Sequence, residues 1–441
     1  MTGTPGALAA MPMPPPARIE AALRLATERF AAELALPGGG APDWSEFQWA
    51  MARAAAVMHG VTPLLASLSG WREPDQWLQF AAQQRDHTVL RQQRLAGALA
   101  LIDQQMRRAA LPVMALKGSA LYALGLYRDG ERPMADIDLL VTPHESTQVR
   151  ALLEALGFRE VASSWKHWEL EARAPSCEQS VDPPYGERAS AAIKIDLHQH
   201  IAECLPVNQM DITEWVWPSK AQSGLNPYPS MAALMLHLLL HAAGNMVGRS
   251  LRLIQVHDLA LVAARMCPMD WDALLKRRIS GQPPWWALPP LELVARYYPG
   301  RVPPAVLAAL RSLCPRMLRE RARRQTVSDV SYCTLKAQAF PALPWAITFS
   351  DKFDYVRMRG RLYHKMEALR ANWNREAQAA SNPWRQQSRS RRIVHWLLAR
   401  SLRHSPTYLV RAVLADQAAR ADKAARSADA APARLDTSTT A

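Results

Sequence analysis

The segment "LPVMALKGSALYALGLYRDGERPMADIDLLV" (residues 111–141) contains a change of periodicity that decides the fold. It opens with "LPVMALKG", a short apolar run reaching Gly118, which is typical of a buried strand. The following "SALYALGLY" has helical spacing, and "ADIDLLV" alternates between polar and apolar residues as a half-buried strand does. We therefore predict a strand–helix–strand unit across this segment.

The residues after this segment extend the predicted sheet. "TPHE" (142–145) is a strong helix start, with an N-cap threonine and a capping-box glutamate, and Gly157 suits the end of that helix. Alternating residues in "WKHWELEAR" (165–173) and "AAIKIDLHQHI" (191–201) predict two further strands. The order β-α-β-α-β-β describes a small mixed α/β unit.

The sequence on both sides of this unit is predicted to be helical, because apolar residues recur at three- and four-residue spacing. The predicted fold class is α+β, with a small mixed-sheet core flanked by N-terminal and C-terminal helical regions. The predicted segments are a disordered N-terminus at 1–17, a helical lead-in at 18–110, the α/β core at 111–205, a helical domain at 206–325, a basic helical C-terminal region at 326–411 and a low-complexity tail at 412–441.

The composition is that of a globular protein. An apolar share of 49% with 21% charged residues supplies a core and excludes a wholly disordered chain. The five cysteines are widely spaced and odd in number, which argues against a disulfide framework. No apolar run approaches the roughly 18 residues of a membrane-spanning helix, and the first residues lack the pattern of a signal peptide. We predict a cytoplasmic protein with no transmembrane segment.

The net charge of +14 is concentrated in the last third of the chain, where 26 Lys and Arg stand against 10 Asp and Glu from Arg301 onward. Residues 384–411 combine seven arginines with tryptophan and aliphatic side chains. This stretch fits a helix docked on the domain with its arginines in solvent. It also fits a helix lying on an anionic membrane surface, or an arm that binds nucleic acid.

Carboxylates on the predicted strands define a candidate metal site. Because residues two apart in a strand share a face, Asp136 and Asp138 point the same way, and Asp196 lies on the corresponding polar face of its own strand. Three converging carboxylates repel one another unless a cation neutralises them. Mg²⁺ (or Mn²⁺) prefers oxygen ligands and leaves positions open for substrate phosphates, so we predict this cofactor.

A candidate phosphate site precedes the aspartate pair. Gly118 and Ser119 lie between a strand and a helix, where free N–H groups favour an anion and glycine permits close approach of a ligand. Lys117 and Arg132 are nearby cations. We predict that these four residues bind phosphate, with surface exposure as the alternative for the two cations.

Three histidines form a possible substrate pocket. His198 shares the polar face of Asp196, and His237 and His241 lie four apart on one helical face. The helical pair has three interpretations: a zinc site, a substrate pocket, or a packing contact between helices. The His-Glu-x-x-His pattern of a zinc protease is missing from the sequence.

The order of these motifs resembles a known superfamily. Gly-Ser at a strand–helix turn, Asp-x-Asp on a strand and a lone strand aspartate are similar to the DNA polymerase β-like nucleotidyltransferases, and "LPVMALKGSALYALGLYRDGERPMADIDLLV" looks most like a bacterial uncharacterised branch of them. The likeness extends over roughly residues 50–270, including "IDLHQHI" and "LHLLLHAAG…LRLIQVHDLAL".

This resemblance implies a reaction. Asp136 and Asp138 would bind both metal ions, Asp196 would complete the site of the ion that activates the acceptor, and Gly118 and Ser119 would hold the triphosphate. The expected activity is metal-dependent transfer of a nucleoside monophosphate from an NTP to an acceptor, such as a small molecule, peptide or glycan precursor, with release of pyrophosphate. The alternative is a non-catalytic protein that keeps the fold and binds a nucleotide or a partner.

Overall fold

The computed structural model describes residues 13–72, 74–164, 167–172, 182–359 and 402–429. In this part, helices enclose a six-stranded mixed sheet. The α-helices are α1 (Pro16–Ala35), α2 (Glu46–His59), α3 (Thr62–Leu68), α4 (Asp75–Arg108), α5 (Lys117–Ala123), α6 (Ser146–Ala155), α7 (Thr213–Val216), α8 (Met231–Gly248), α9 (Leu253–Ala263), α10 (Pro268–Leu275), α11 (Leu288–Tyr297), α12 (Pro304–Leu313), α13 (Arg316–Arg324), α14 (Val327–Val330) and α15 (His404–Asp429). The strands are β1 (Pro112–Ala115), β2 (Ile137–Leu140), β3 (Phe158–Ser163), β4 (His167–Ala172), β5 (Lys194–His198), β6 (Ala202–Cys204), β7 (Gln209–Asp211) and β8 (Gly224–Asn226).

The large sheet has the strand order β3-β4-β5-β2-β1-β8, which confirms the mixed-sheet prediction. β2 is antiparallel to β1 and parallel to β5. Strands β1, β2, β4 and β5 lie inside the four windows predicted from sequence. The two other strands of this sheet were missed for identifiable reasons. β3 exposes every residue after its first and therefore shows no alternation, whereas β8 has three residues held by pairing with β1.

Both faces of β2 are buried. On one face, Ile137 and Leu139 pack with Ile195 and Leu197 against α4 and α6, as the alternation predicts. The opposite face was expected to be an outward polar surface. Instead α8 and the start of α9 lie opposite this face, and the buried Asp138 lines the cavity between them. Burial on both faces is usual for strands in a parallel pair.

Helix α8 is apolar and long enough to cross a membrane by length and composition, contrary to the estimate from the sequence. Within the protein, 67% of it is buried, and it packs against α9, α10 and α11. Its two histidines line this cavity. We therefore interpret α8 as a core helix that forms one wall of the site.

The two ends of the chain are described only in part. Helix α1 begins at Pro16, within the segment predicted to be disordered, and residues 1–12 lie outside the described residues. Helix α15 runs through the first part of the predicted tail and packs on α2. Most of the basic stretch at 384–411 lies outside the described residues, so its predicted membrane or nucleic-acid contact stays a prediction.

Candidate active site

The pairing of β2 with β5 brings two of the predicted carboxylates together. Asp138 and Asp196 are direct partners in the parallel register, on the same face of the sheet. Ligand atoms of Asp138, Asp196 and His198 lie within 4.8 Å of one another, an arrangement able to hold a metal ion. Asp136 immediately precedes β2 and lines the same cavity. Strand alternation therefore correctly placed Asp138 and Asp196 on one face, whereas Asp136 lies just before the strand and outside the cluster with Asp138, Asp196 and His198.

These residues line a cavity of about 280 Å³ between the sheet and the helices. The strands supply its acidic floor, α5 and the following loop supply cations, and α8 supplies imidazoles. The ionisable residues that line it are Lys117, Arg132, Asp136, Asp138, His167, Asp196, His198, His200, Glu203, His237, His241 and Arg252. Such a concentration of buried charge is characteristic of a functional site.

Asp138 is the most strongly bound of the three carboxylates. Its Oδ1 lies 2.6 Å from Lys117 Nζ and 3.0 Å from His198 Nε2. Burial by itself raises the pKa of Asp138, but the Lys117 charge and the His198 hydrogen bond hold that pKa well below its usual range. Lys117 was predicted to contact phosphate. In the structure its ammonium group is paired with Asp138, and it remains part of the cavity wall.

The other two carboxylates resist ionisation. Burial, followed by the charges of Asp136 and Asp138, raises the pKa of Asp196 to about 7. Burial and the charge of Asp138 likewise raise the pKa of Asp136. The single positive charge of Lys117 therefore does not neutralise the three carboxylates. Oxygen ligands that are crowded in this way fit a divalent cation.

Gly118 lies where the backbone of α5 meets the cavity. A Cβ at this position would lie 2.6 Å from Arg132 Nη1 and 3.1 Å from Met134 Sδ, so glycine allows this close packing. Ser119 lies farther from the cavity and does not line it. Its hydroxyl is buried, with no hydrogen-bond partner among the described residues. The predicted phosphate contact of Ser119 stays a prediction.

Arg132 is fixed by a buried ion pair. Its Nε and Nη2 donate to the two carboxylate oxygens of Asp258 on α9, at 2.9 and 2.8 Å. Tyr127 donates a third hydrogen bond, of 2.6 Å, to Asp258 Oδ1. Two of the three guanidinium nitrogens are thus engaged, and Nη1 lies beside Gly118. Arg132 lines the cavity, and its predicted phosphate contact stays a prediction. No sequence signal indicated its pairing with Asp258.

Hydrogen bonds orient the predicted histidines. The Lys117 backbone N–H donates to the Tyr228 hydroxyl, at 3.2 Å, and that hydroxyl lies 2.7 Å from His237 Nδ1. The Tyr228 hydroxyl thus bridges the start of α5 and His237, and the tautomer of His237 decides which of the two atoms donates. His241 Nε2 accepts from the Asn245 amide at 3.1 Å. Burial, followed by the nearby charge of Lys117, lowers the pKa of both His237 and His241.

The three predicted histidines, His198, His237 and His241, thus line one cavity. Burial lowers the pKa of His198 to about 4 even though it hydrogen-bonds Asp138. The metal-type cluster found among the described residues consists of Asp138, Asp196 and His198, without the α8 pair. This placement favours the substrate-pocket interpretation of His237 and His241 over the zinc interpretation.

Sequence reasoning missed several residues that shape the site. Arg91 on α4 donates to the carbonyls of Met134 and Ala135, just before β2, and to that of Ala191, before β5. It therefore ties together the two segments that carry the aspartates. Arg252, at the start of α9, lines the cavity directly. Neither arginine belongs to a local motif, because each reaches the site from a distant part of the chain.

A mixed sheet with carboxylates facing each other on β2 and β5 is consistent with a nucleotidyltransferase-like domain. Residues 42–282 match the model of the uncharacterised nucleotidyltransferase family, and this match spans more than half of the chain. The chain belongs to that family. No curated protein matches the sequence, and no solved structure matches it. The matched range contains all of the predicted site residues.

Proposed function

We propose that this protein is a divalent-metal-dependent nucleotidyltransferase that transfers a nucleoside monophosphate from an NTP to an acceptor and releases pyrophosphate. The observation that carries the proposal is the pairing of Asp138 with Asp196 across β2 and β5, with Asp136 in the same cavity. Family membership supports the reaction class. A cytoplasmic location and an acceptor that is a small molecule, peptide or glycan precursor belong to the same proposal.

The residues present fit the implied cofactor. Asp136, Asp138 and Asp196 would hold Mg²⁺ or Mn²⁺, because both ions favour carboxylate oxygens. The bound ion would stabilise negative charge on the reacting phosphate oxygens. His198 orients Asp138 through its 3.0 Å hydrogen bond, the usual task of a residue beside a metal ligand.

The remaining groups would position the two substrates. The acceptor hydroxyl oxygen would attack the α-phosphorus and lose its proton to solvent. The bond from the α-phosphorus to the α,β-bridging oxygen would break, and pyrophosphate would leave with that oxygen. Lys117 and Arg132 place positive charge on one wall of the cavity for the phosphates. His237 and His241 line the α8 wall, where the acceptor would lie. Electrostatic stabilisation and positioning, without a covalent enzyme intermediate, would account for the rate.

The proposal is tested by incubating the full chain with each of the four ribonucleoside triphosphates, with Mg²⁺, with Mn²⁺ and with neither. Water acts as a slow acceptor when no other is supplied. We expect metal-dependent formation of a nucleoside monophosphate and pyrophosphate. A non-catalytic nucleotide-binding protein would bind NTP in the presence of metal without turnover. Failure of all four nucleotides to bind or react would contradict both interpretations.

The raised pKa of Asp196 predicts a pH dependence. Its pKa changes from 3.8 in the unfolded chain to about 7 in the folded protein. Between these values the folded state retains a proton that the unfolded state has lost, so the contribution of Asp196 to stability falls as pH rises through this window. Metal binding requires the ionised carboxylate. The apparent affinity for Mn²⁺ should therefore rise about tenfold per pH unit below that pKa, then level off.

Titration of the protein with Mn²⁺, followed by electron paramagnetic resonance from about pH 5 to about pH 8, measures this dependence. Asp196→Asn should bind Mn²⁺ more weakly and should lose the slope. An affinity that stays constant across this range in the wild type would show that Asp196 does not take part in metal binding.

Gly118→Ala is expected to lower kcat/KM about 10- to 100-fold, because a displacement near 1 Å at a reacting centre has an effect of this size. The added Cβ would press on Arg132 Nη1 and Met134 Sδ. Gly97→Ala is the matched control, since it lies within α4 with no atom near its added Cβ. Steady-state kinetics of both variants decide the point. Equal loss in the two variants, or none in Gly118→Ala, would contradict a role for Gly118 in the site.

A further inference from the structure

Arg252 differs from the other cations of the cavity because it has no ionic partner among the described residues. Lys117 is paired with Asp138, and Arg132 is paired with Asp258. Arg252 makes no ion pair in the described part of the chain, and its buried Nε lacks a hydrogen-bond partner there. The side chain nevertheless lines the cavity. The positive charge of Arg252 is therefore available to a ligand that enters the cavity.

A partly buried charge without a partner destabilises the folded protein. Burial, with the repulsion of Arg132, lowers the pKa of Arg252, although Glu187 and Asp136 act in the opposite direction. Neither carboxylate is close enough to form an ion pair with it. Charged side chains that destabilise the folded protein in this way are concentrated at binding and catalytic sites, where a ligand supplies the missing partner.

The end of α2 holds Arg252 in place. Gly60, the C-cap of α2, has a φ of 65°, and a Cβ there would overlap Arg252 Nη2 and lie 3.0 Å from Cζ. The guanidinium therefore packs directly on the Gly60 backbone. The neighbouring His59 accepts a 3.0 Å hydrogen bond from the Leu253 backbone N–H through Nδ1, which attaches the start of α9 to α2. The helical lead-in thus sets the position of this arginine.

The surroundings of Arg252 indicate which ligand it meets. Lys117, Arg132 and Arg252 line the same cavity as Asp136, and the charge of each lowers the pKa of that carboxyl. A nucleoside triphosphate brings several negative charges, whereas two of these cations are already neutralised. A guanidinium also presents a planar fork of donors that matches a phosphate group in a bidentate manner.

We propose that Arg252 binds the terminal phosphates of the nucleotide and that Gly60 exists to leave room for its guanidinium. This inference rests on the proposed function. It assigns the helical lead-in a direct part in the active site, through a contact between residues that are far apart in sequence. Arg252 would be the principal cation for the leaving pyrophosphate, while Lys117 remains with Asp138.

The test uses the full chain and isothermal titration with three probes in the presence of Mg²⁺: the NTP that binds best, its nucleoside monophosphate, and inorganic tripolyphosphate. Arg252→Met should weaken NTP and tripolyphosphate binding about 10- to 100-fold, the usual effect of losing charge-assisted hydrogen bonds. Monophosphate binding should stay within about twofold, because that ligand lacks the terminal phosphates. Arg252→Lys should fall between the wild type and Arg252→Met.

Thermal unfolding of the ligand-free variants separates binding from a structural role. Arg252→Met should have an unchanged or higher Tm, since it removes a partly buried charge without a partner. Gly60→Ala should weaken NTP binding, because its Cβ displaces the guanidinium. Gly300→Ala is its control: its φ of 80° strains the backbone similarly, and no atom lies near the added Cβ. This control should leave NTP binding unchanged.

The possible outcomes are distinct. Unchanged NTP affinity in Arg252→Met would overturn the inference and leave the proposed function intact. A lower Tm together with equal loss of all three probes would indicate a structural arginine and would also overturn it. If the wild type binds tripolyphosphate through Arg252 but binds no NTP, the anion site stands and the proposed function fails. Binding of none of the probes by the wild type would overturn both.

Discussion

Asp138→Asn is expected to reduce NTP turnover at least about 1,000-fold, because it removes a carboxylate from the centre of a preorganised, buried charge cluster. It should also destabilise the protein. Lys117 Nζ lies 2.6 Å from Asp138 Oδ1, and neither side chain is more than one-fifth exposed. Removing one partner of a buried ion pair costs about 3–5 kcal/mol.

A double variant separates the two effects. Lys117→Met with Asp138→Asn removes both charges, so stability should recover relative to Asp138→Asn alone while turnover stays low. Glu169→Gln is the matched control, because Glu169 pairs with Asp196 in the sheet but lies outside the cavity lining. Turnover and urea unfolding of the four proteins, wild type included, provide the comparison. An Asp138→Asn enzyme that turns over NTP as fast as Glu169→Gln would exclude Asp138 from catalysis.

Asp258→Asn is expected to lower the free energy of unfolding by about 3–5 kcal/mol, since it leaves the buried Arg132 guanidinium without its counter-charge. Asp258 is almost fully buried, accepts both Arg132 hydrogen bonds and accepts a third from Tyr127. Turnover should fall as well, because this pair fixes the only cation that lies directly against Gly118 in the described chain. Arg132 therefore acts in the site through the position that Asp258 gives it.

Urea denaturation measures this effect, and an exposed ion pair provides the comparison. Glu154→Gln breaks a 3.9 Å pair with Arg150 on the surface of α6, where the expected change is below about 1 kcal/mol. Introducing Arg132→Met together with Asp258→Asn should recover part of the stability without restoring turnover. If Asp258→Asn lowers the free energy of unfolding no more than Glu154→Gln does, the Arg132–Asp258 pair does not hold α9 to the loop between α5 and β2.

Local periodicity was sufficient to predict the floor of the site. Alternation placed Asp138 and Asp196 on one face of their strands, and the Cα register of β2 with β5 brings them opposite each other. The short strand β8 carries no comparable signal, because its three residues become a strand only through pairing with β1. Pattern recognition therefore works where a segment has a buried face of its own.

The ion pairs of the site were beyond sequence reasoning. The Lys117 ammonium group pairs with Asp138, which the chain brings near through the strand–helix–strand turn. Arg132 pairs with Asp258, more than a hundred residues away. Arg252 reaches the cavity only because α9 begins against the end of α2. Each contact depends on how helices cover the sheet, and one sequence does not encode that arrangement in a local pattern.

The most direct test of the central claim follows the two ends of the triphosphate. Wild-type protein and Asp138→Asn are incubated in parallel with Mg²⁺ and an NTP labelled at the α-phosphorus or at the γ-phosphorus, and the products are separated. We predict that the wild type moves the α label into the monophosphate or its acceptor conjugate and the γ label into pyrophosphate, and that the variant does neither. Appearance of the γ label as orthophosphate, or on an acceptor, would identify a hydrolase or phosphotransferase and would contradict this account.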